Sequence, residues 1–198
     1  MNKKKLILKL NQIGAIKFGQ FKLKSGMISP IYIDLRILIS YSKVLKQVAA
    51  AYLTLLTKMH FDRIAAIPYA AIPIATAISL MDKKPFIYTR KEVKKYGTKK
   101  QIEGEYRRGE KVVLIDDLIT TGLSKIEAIR PLKKEGLIVK DIVVLIDREQ
   151  GGGKELHQRG YRLHSVLTMS EILNVLLHEG KITPENFDEV KALLKKKY

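Results

Sequence analysis

The sequence predicts an α/β domain whose central, mostly parallel sheet is flanked by helices. From residue 41 onward, short apolar runs with the length of a buried strand alternate with stretches that repeat apolar residues at helical spacing. Before residue 41 the pattern changes to two short strands around a glycine turn, which predicts a small N-terminal lobe over about residues 1–40. Ligands of parallel sheets bind at the carboxyl ends of the strands. The polar residues that follow each apolar run are therefore the candidates for a site.

Composition limits the class of protein. The chain has 198 residues, of which 46% are hydrophobic, enough for one domain with its own core. It contains no cysteine, which excludes disulfides and thiolate metal sites and favours a cytoplasmic location. Since no apolar run approaches the ~18 residues of a membrane span, no membrane partner is expected.

The chain is strongly basic, with a formal charge of +17 from 37 Lys and Arg and 20 Asp and Glu residues. Such a charge attracts nucleic acids or anionic metabolites. The basic clusters are not interleaved with aromatic residues, as a surface for single-stranded nucleic acid requires. We therefore expect most of these side chains to be solvated and no nucleic acid to be bound.

The first 40 residues supply the elements of the small lobe. A basic amphipathic helix lies within residues 1–18, and strands follow at residues 21–26 (FKLKSG) and 29–35. Lys24 stands in the turn between the strands, where it is either a surface lysine or a cation near a ligand. Arg36 follows the second strand and has no role that the sequence indicates.

The next stretch predicts the first half of the larger sheet. Tyr69 follows the first apolar strand and leads into a helix N-terminus, a place that suits an anion. The basic, polar stretch that begins at Arg90 predicts a long mobile loop or a flexible hairpin over residues 90–104, either a lid or a solvated surface segment. The elements predicted before this loop are a helix over 41–60, a strand over 64–67, a helix over 73–81 and a strand over 85–89.

The strongest signal lies in residues 112–124 (VVLIDDLITTGLS). An apolar strand over 112–115 ends in Asp116 and Asp117, and a turn that contains Gly122 and three hydroxyl side chains opens the next helix. Backbone N–H groups at a helix start suit a phosphate, and glycine allows it to approach closely. Adjacent carboxylates suit vicinal hydroxyls, or Mg²⁺ held through water. A sugar phosphate has both features; the alternative is a strand end followed by an ordinary helix N-cap.

The C-terminal third completes the alternation of strands and helices. Arg148 lies in the segment DREQGG, directly after a strand, where it provides either a guanidinium for an anionic ligand or a salt bridge to Asp147 or Glu149. The elements predicted here are strands over 142–146 and 163–167, a helix over 170–178 that Ser170 caps, and a helix over 184–196.

Several segments together resemble the type I phosphoribosyltransferases, and among them the orotate phosphoribosyltransferases, in particular the transferase domain of UMP synthases. They occur in the family's order and cover about residues 17–173. Besides residues 112–124, the segments are FKLKSG (21–26), SPIYIDLR (29–36), IPYAAIPIATA (67–77), RKEVKKYGTKKQIEG (90–104) and VLIDREQGG (144–152).

The resemblance implies a type I phosphoribosyltransferase fold over residues 1–198 as a single domain, without the decarboxylase part of UMP synthases. It implies transfer of the phosphoribosyl group from phosphoribosyl pyrophosphate to orotate, which gives orotidine 5′-monophosphate and pyrophosphate on the way to UMP. Mg²⁺ is expected to arrive with the substrate and water, without direct protein ligands. The resemblance also implies a homodimer in which the mobile catalytic loop, residues 90–108, reaches the neighbouring active site.

The resemblance further implies roles for individual residues. The expected catalytic residues are Lys94, Asp116 and Asp117. The residues expected to bind phosphoribosyl pyrophosphate are Lys24, Tyr69, Arg90, Lys91, Lys94, Asp116, Asp117, Leu118, Ile119, Thr120, Thr121, Gly122, Leu123 and Ser124. The residues expected to bind orotate are Lys24, Thr120 and Arg148, the last of them through the orotate carboxylate.

The chain departs from the family pattern at two positions. Tyr96 stands where the catalytic loop usually carries a histidine, which makes Lys94 the better candidate for chemistry in that loop. Ala70 stands where many bacterial members carry a lysine, which removes one charge from the pyrophosphate site.

Two other functions compete with this one. A purine or uracil phosphoribosyltransferase would share the Asp-Asp and Thr-Gly region but not the DREQGG segment or the RKE start of the loop. A non-catalytic regulator that senses phosphoribosyl pyrophosphate and binds nucleic acid is supported only by the charge of +17. It would need a DNA-binding module such as a helix-turn-helix, for which few residues remain.

Overall fold

Two sheets organise the structure, a computed structural model that describes residues 2–22, 26, 28–90 and 101–195. The smaller sheet is an antiparallel strand pair near the N-terminus, and the larger one is mostly parallel. In chain order the strands are β1 (Ile16–Lys22), β2 (Ile28–Ile33), β3 (Arg63–Ala66), β4 (Phe86–Thr89), β5 (Ile102–Glu103), β6 (Lys111–Ile119), β7 (Ile138–Asp147) and β8 (Arg162–Thr168).

The larger sheet has the strand order β5-β4-β3-β6-β7-β8. Its neighbours are parallel except for β5, which runs antiparallel to β4 at one edge. The register pairs Ala66 with Ile115, and Ile119 with Asp147. Strand β6 therefore extends beyond the end of β3, and the residues after Ile115 lie at the carboxyl edge of the sheet.

Helices cover both faces of this sheet. They are α1 (Lys3–Gln12), α2 (Ser42–Leu56), α3 (Ala71–Asp82), α4 (Leu123–Lys134), α5 (Gly152–Gln158), α6 (Met169–His178) and α7 (Pro184–Lys195), with a 3-10 turn over Leu35–Ser40. Val113 and Ile115 of β6 pack into the cluster that includes α1, α2, α3 and α6, whereas Val112 and Leu114 pack into the cluster with α4. Because successive strand side chains point to opposite faces, a strand buried on both faces is a continuous apolar run.

Most predicted elements are confirmed with shifted ends, among them the helices over 41–60, 73–81 and 184–196 and the strands over 64–67, 85–89, 142–146 and 163–167. The first strand is an exception, because β1 begins at Ile16 rather than at residue 21. It pairs with β2 from Ile16 opposite Ile33 to Lys22 opposite Ile28, with a shift of register between Phe18 and Phe21. This antiparallel partner fixes the start of the strand, which the residue pattern did not indicate.

The prediction that the strand of residues 112–115 ends before the aspartates is wrong. Strand β6 continues to Ile119, so Asp116 and Asp117 belong to the strand. Leu118 pairs with Ile146 and Ile119 pairs with Asp147 in β7. Pairing with a neighbouring strand thus overrides the polarity of the two carboxylates.

The predicted loop over residues 90–108 is described only in part, because residues 91–100 lie outside the described residues. Ile102 and Glu103 form β5, which runs antiparallel to β4 as in the hairpin alternative, and the side chain of Ile102 is buried in the core. Arg90 N–H donates to the carbonyl of Gln101 at 2.8 Å, so the two ends of the segment meet.

The prediction that Ser170 caps the helix of residues 170–178 is also wrong. The hydroxyl of Thr168 accepts a hydrogen bond from Glu171 N–H at 3.2 Å, and Glu171 Oε2 accepts one from Thr168 N–H at 2.9 Å. This reciprocal pair is a capping box, which satisfies two backbone donors at once. Helix α6 therefore begins at Met169, one residue earlier than predicted.

Two loops at the carboxyl edge pack backbone against backbone at Gly152. Its N–H donates to the carbonyl of Thr120 at 2.8 Å. A Cβ atom at residue 152 would lie 2.4 Å from that oxygen and 2.6 Å from the side chain of Ile119. The next residue, Gly153, has more room, since the nearest atom to a Cβ there is 3.4 Å away on Leu163.

Gly152→Ala should lower the free energy of unfolding by about 1–3 kcal/mol, the usual cost of overpacking a tight site. Urea titration measures the effect. Gly153→Ala in the same helix is the matched control and should be neutral or slightly stabilising, because alanine favours a helix over glycine. Equal stability of the two variants would contradict the close packing at residue 152.

Candidate active site

A cavity of about 390 Å³ opens at the carboxyl ends of β3 and β6. Its walls come from the segment after β3, from the end of β6 with the start of α4, and from the segment that follows β2. The predicted site residues that line it are Tyr69, Asp116, Asp117, Leu118, Thr120 and Ser124, and the other lining residues are Ile33, Asp34, Leu35, Arg36, Ile67, Pro68, Ala70 and Lys125.

The acidic pair at the end of β6 is held rigidly by hydrogen bonds. Asp117 N–H donates to Asp116 Oδ1 at 2.9 Å, and Leu118 N–H donates to Asp117 Oδ1 at 2.8 Å. The hydroxyl of Tyr52, a fully buried residue of α2, donates to the backbone carbonyl of Asp116 at 2.6 Å. Both carboxyl groups therefore have a fixed orientation before any ligand arrives.

Lys125 is the partner of Asp116 and is a residue that sequence analysis missed. Its Nζ lies 2.6 Å from Asp116 Oδ2, and the two side chains are only 4% and 9% exposed. The same ammonium donates to the carbonyl of Leu118 at 2.5 Å and to the hydroxyl of Ser124 at 3.3 Å. One signal for it is present in the sequence, because Lys125 shares the buried face of α4 with Ile129 and Leu132 at helical spacing.

Asp117 lies in a different electrostatic environment. Burial and then the neighbouring carboxylate of Asp116 raise the pKa of Asp117 to about 7. The positive charge of Lys125 and the hydrogen bond from Leu118 N–H oppose this shift in pKa without cancelling it. The acidic pair therefore combines two different groups: Asp116 forms an ion pair with Lys125, and Asp117 has a pKa raised to about 7.

The turn after the pair opens α4. Gly122 is the N-cap residue with φ 87°, a left-handed conformation that glycine adopts without steric cost. Its carbonyl accepts the N–H groups of Lys125 and Ile126 at 3.0 and 3.2 Å. Leu123 and Ser124 are exposed and Thr120 and Thr121 are half-buried. The helix start thus presents backbone N–H groups and hydroxyls to solvent, as an anion site requires.

Arg148 lies beside this turn, although it does not line the cavity of about 390 Å³ as described. Its N–H donates to the carbonyl of Ile119 at 3.0 Å, so the segment after β7 is joined to the end of β6. The neighbouring carboxylates accept backbone donors: Asp147 Oδ1 from Glu149 N–H at 2.8 Å, and Glu149 Oε2 from Ser170 N–H at 2.6 Å.

Arg90 lies on the other side of the segment that follows β3. It lines a second cavity of about 440 Å³, and Ile67, Pro68 and Ser124 line both cavities. The guanidinium of Arg90 pairs with Glu103 of β5. The Pro68–Tyr69 peptide bond between the two cavities is cis, and Tyr69 is exposed. Arg90 thus flanks the acidic pair without joining it.

Arg36, which had no role in the sequence analysis, lines the cavity of the acidic pair. Asp34 holds the guanidinium with two hydrogen bonds, of 2.7 Å to Nε and 2.9 Å to Nη2, and Nη2 also donates to the hydroxyl of Tyr32 at 3.1 Å. The Tyr32 ring stacks on Phe21 at 5.4 Å between centroids. The N-terminal lobe thereby contributes an oriented cation to this cavity.

Some predicted site residues have no described position. Lys24, Lys91, Lys94 and Tyr96 lie outside the described residues. Within the described ranges, no group of three or more His, Asp or Glu side chains is placed to hold a metal ion.

The raised pKa of Asp117 gives a prediction for stability. The folded protein holds the Asp117 proton up to about pH 7, whereas the group titrates near 3.8 when unperturbed. The contribution of Asp117 to stability is therefore complete below about pH 4 and is lost as the pH rises through about 7. Asp117→Asn keeps the hydrogen-bond acceptor for Leu118 and removes this loss.

Asp117→Asn should thus be more stable than the wild type at pH 8, by up to about 4 kcal/mol, since the pKa of Asp117 is raised from 3.8 to about 7 and one pKa unit corresponds to about 1.4 kcal/mol. The difference should shrink toward pH 4. Thermal or urea unfolding at several pH values measures it, with Asp188→Asn at an exposed position of α7 as the control. A difference that does not change with pH would contradict the assignment.

Comparison with known proteins identifies the family. The sequence model of the family described as phosphoribosyl transferase domain matches residues 41–162 of this chain. An orotate phosphoribosyltransferase of Caenorhabditis elegans is 38% identical over 191 residues, which cover 96% of this chain and 84% of that protein. A bifunctional enzyme PyrF/PyrE of Nostoc is 48% identical over 92% of this chain. This chain spans 38% of that enzyme and about two fifths of the UMP synthases that it also matches.

The structural comparison agrees. The solved structure of Leishmania donovani UMP synthase superposes with a TM-score of 0.91 and 43% identity, over 98% of this chain and 42% of that one. No helix in the described part of the chain is both long and apolar enough to pass through a membrane. The chain has the type I phosphoribosyltransferase fold and belongs to the phosphoribosyltransferase family, in the group of the orotate phosphoribosyltransferases.

Proposed function

We propose that this chain transfers the phosphoribosyl group of phosphoribosyl pyrophosphate to orotate, and so makes orotidine 5′-monophosphate and pyrophosphate in UMP biosynthesis. The proposal depends on one observation. The acidic pair of β6 lines a cavity and is followed along the chain by the N-terminus of α4, which is suited to bind an anion. The names of the matched relatives support the same reaction.

The 5′-phosphate binds at the start of α4. The helix N-terminus offers N–H groups and the positive end of its dipole, and Gly122 brings the backbone close to the ligand. Thr120, Thr121 and Ser124 add hydroxyl donors. Leu118, Ile119 and Leu123 are the remaining residues of the proposed phosphoribosyl pyrophosphate segment.

The acidic pair holds the ribose hydroxyls. In the reaction N1 of orotate gives up its proton to water or to the leaving pyrophosphate and forms a bond to C1 of the ribose, while the bond from C1 to the pyrophosphate oxygen breaks and its electron pair leaves with pyrophosphate. The ribose gains positive charge on the way, as in glycosyl transfer generally. Carboxyl groups beside the ring tolerate this charge, and the fixed orientation of Asp116 and Asp117 holds the reacting carbon in place.

The leaving pyrophosphate binds at the segment that joins β3 to α3, at Tyr69, with Arg90 on its other side. Three residues outside the described ranges complete the proposal: Lys24, Lys91 and, as the catalytic cation, Lys94. Mg²⁺ is the proposed cofactor, since the carboxylate oxygens at this cavity are donors of the kind that Mg²⁺ prefers, here through water and substrate. When bound, Mg²⁺ would supply neutralisation of the pyrophosphate charge.

The proposed assembly is a cytoplasmic homodimer in which residues 90–108 act at the neighbouring subunit's site, each chain being one domain with residues 1–40 as its N-terminal lobe. Exposed apolar side chains on α3, Leu80 at 79% and Met81 at 40%, provide surface for such contact. The absence of cysteine fits the compartment.

The direct test is the loss of orotate absorbance when purified protein is mixed with phosphoribosyl pyrophosphate and Mg²⁺. We expect turnover with orotate and none with uracil or adenine, because those bases lack the carboxylate. Turnover of uracil or adenine instead would show that the base substrate is not orotate. No turnover with any base would favour a non-catalytic role.

Arg148 is the proposed partner of the orotate carboxylate, with Lys24 and Thr120 near the ring. A guanidinium binds a carboxylate through two parallel hydrogen bonds, worth about 1.5–3 kcal/mol for a charged pair. Arg148→Ala should thus raise the KM for orotate by roughly 10- to 150-fold and leave the KM for phosphoribosyl pyrophosphate within about threefold.

The matched control is Arg159→Ala, which removes an exposed arginine that pairs with Glu155 in α5. Steady-state kinetics with each substrate varied in turn give both constants. Orotate kinetics that stay at the wild-type value in Arg148→Ala would refute the assignment.

A further inference from the structure

A cavity of about 430 Å³ lies at the amino edge of the larger sheet, opposite the candidate active site. We call it the amino-edge cavity. It is formed by the chain after α2 and by the first residues of β6, β7 and β8. Its size is within the range of small-molecule sites, about 300–1,000 Å³. Neither the acidic pair nor the turn at Gly122 takes part in it.

The lining of this cavity is rich in cations. Lys58, Lys111, Lys140 and Arg162 line it and are exposed. Among the described lining residues the acidic one is Asp141, and its carboxylate is already engaged. Arg162 donates to it from Nε and Nη2 at 2.8 and 2.7 Å. His164 Nε2 lies 2.8 Å from the same group.

The three lysines of the lining form no ion pair with a described residue. In the part of the chain that the structure describes, Lys58, Lys111 and Lys140 have no carboxylate within 4.0 Å. Of the acids near Lys111 in sequence, Glu110 pairs with Arg63 at 2.7 Å, whereas Asp62 accepts the backbone N–H of Lys111 at 2.7 Å and keeps its negative charge. The lining of the cavity therefore has a net positive charge, since four Lys and Arg side chains line it and Asp141 is the one acidic residue among the described lining residues.

A β-bulge shapes the same place. Val112 pairs with Val139 and Leu114 pairs with Ile142, so three steps along β7 oppose two steps along β6. Successive residues of a regular strand point to opposite faces, yet Lys140 and Asp141 both line this cavity. Bulges re-aim side chains in this way and are common beside binding sites.

The cavity also has an apolar wall. Ile138, 40% exposed, and the half-buried Met59 and Phe61 line it together with the buried Val112. Lys84 Nζ lies 5.5 Å from the centroid of the Phe61 ring. An inorganic anion alone would use the cations and leave this wall exposed to water. A ligand with several negative charges and a flat, weakly polar ring uses both.

We propose that the amino-edge cavity binds a nucleoside di- or triphosphate, with the phosphates on the lysines and the base against Ile138 and Met59. Strand β6 joins this cavity to the active site, since Lys111 and Asp116 are five residues apart along it. At about 3.3 Å per residue the separation is about 17 Å. A nucleotide at the amino edge therefore binds together with the substrates and does not displace them.

The test is isothermal titration calorimetry of the full chain with UTP, ATP and inorganic triphosphate in low salt. Saturating orotidine 5′-monophosphate is present to fill the proposed active site. We expect one nucleotide per chain, and weaker binding of inorganic triphosphate, which lacks the base. Lys58→Glu/Lys140→Glu should weaken nucleotide binding at least tenfold and leave the KM for phosphoribosyl pyrophosphate unchanged.

The matched control is Lys46→Glu/Lys181→Glu, which makes the same charge change at two exposed positions away from the cavity, and it should bind as the wild type does. Thermal unfolding shows whether each variant is folded. If Lys58→Glu/Lys140→Glu is unfolded, Lys58→Ala/Lys140→Ala is used in its place. Displacement of UTP by orotidine 5′-monophosphate, unchanged affinity in the cavity variants, or binding of polyuridylate without binding of UTP would each overturn the proposal.

Discussion

The ion pair between Lys125 and Asp116 is the interaction on which the candidate site depends. It joins the end of β6 to the first turn of α4, and the same ammonium also donates to the carbonyl of Leu118 in β6 and to the hydroxyl of Ser124 in α4. Taking two charges out of water is expensive, and the cost is recovered only when the geometry is good and the remaining donors are satisfied. The three contacts of Lys125 meet that condition, so strand, turn and helix start have one arrangement.

Asp116 and Asp117 are chemically identical, but their surroundings differ. One ammonium lies against Asp116, and Asp117 shares the buried, negatively charged surroundings, which raise its pKa. Two adjacent carboxyl groups of the same strand therefore lie in different electrostatic environments. Such a difference is common where a protein gives up stability for function, because a group with a strongly shifted pKa is held in an unfavourable state.

Sequence patterns predicted the alternation of strands and helices and the segments that meet at the carboxyl edge. They did so because strands buried on both faces are continuous apolar runs, as in β6 and β7. They missed features that depend on a distant partner. Strand β6 extends through Asp116 because β7 pairs with it, and Thr168 rather than Ser170 caps α6 because Glu171 closes the box. Lys125 was missed because a lysine in a helix usually lies in solvent.

The contact at Gly152 joins the segment proposed to bind orotate to the turn proposed to bind the 5′-phosphate. The backbone after β7 rests on the backbone after β6 with no space for a methyl group, and hydrogen bonds at Arg148 and Gly152 join the two segments. They form one jaw. A protein engineer who transplants residues 147–152 from a relative to alter base selectivity would thus have to transplant residues 119–122 along with them.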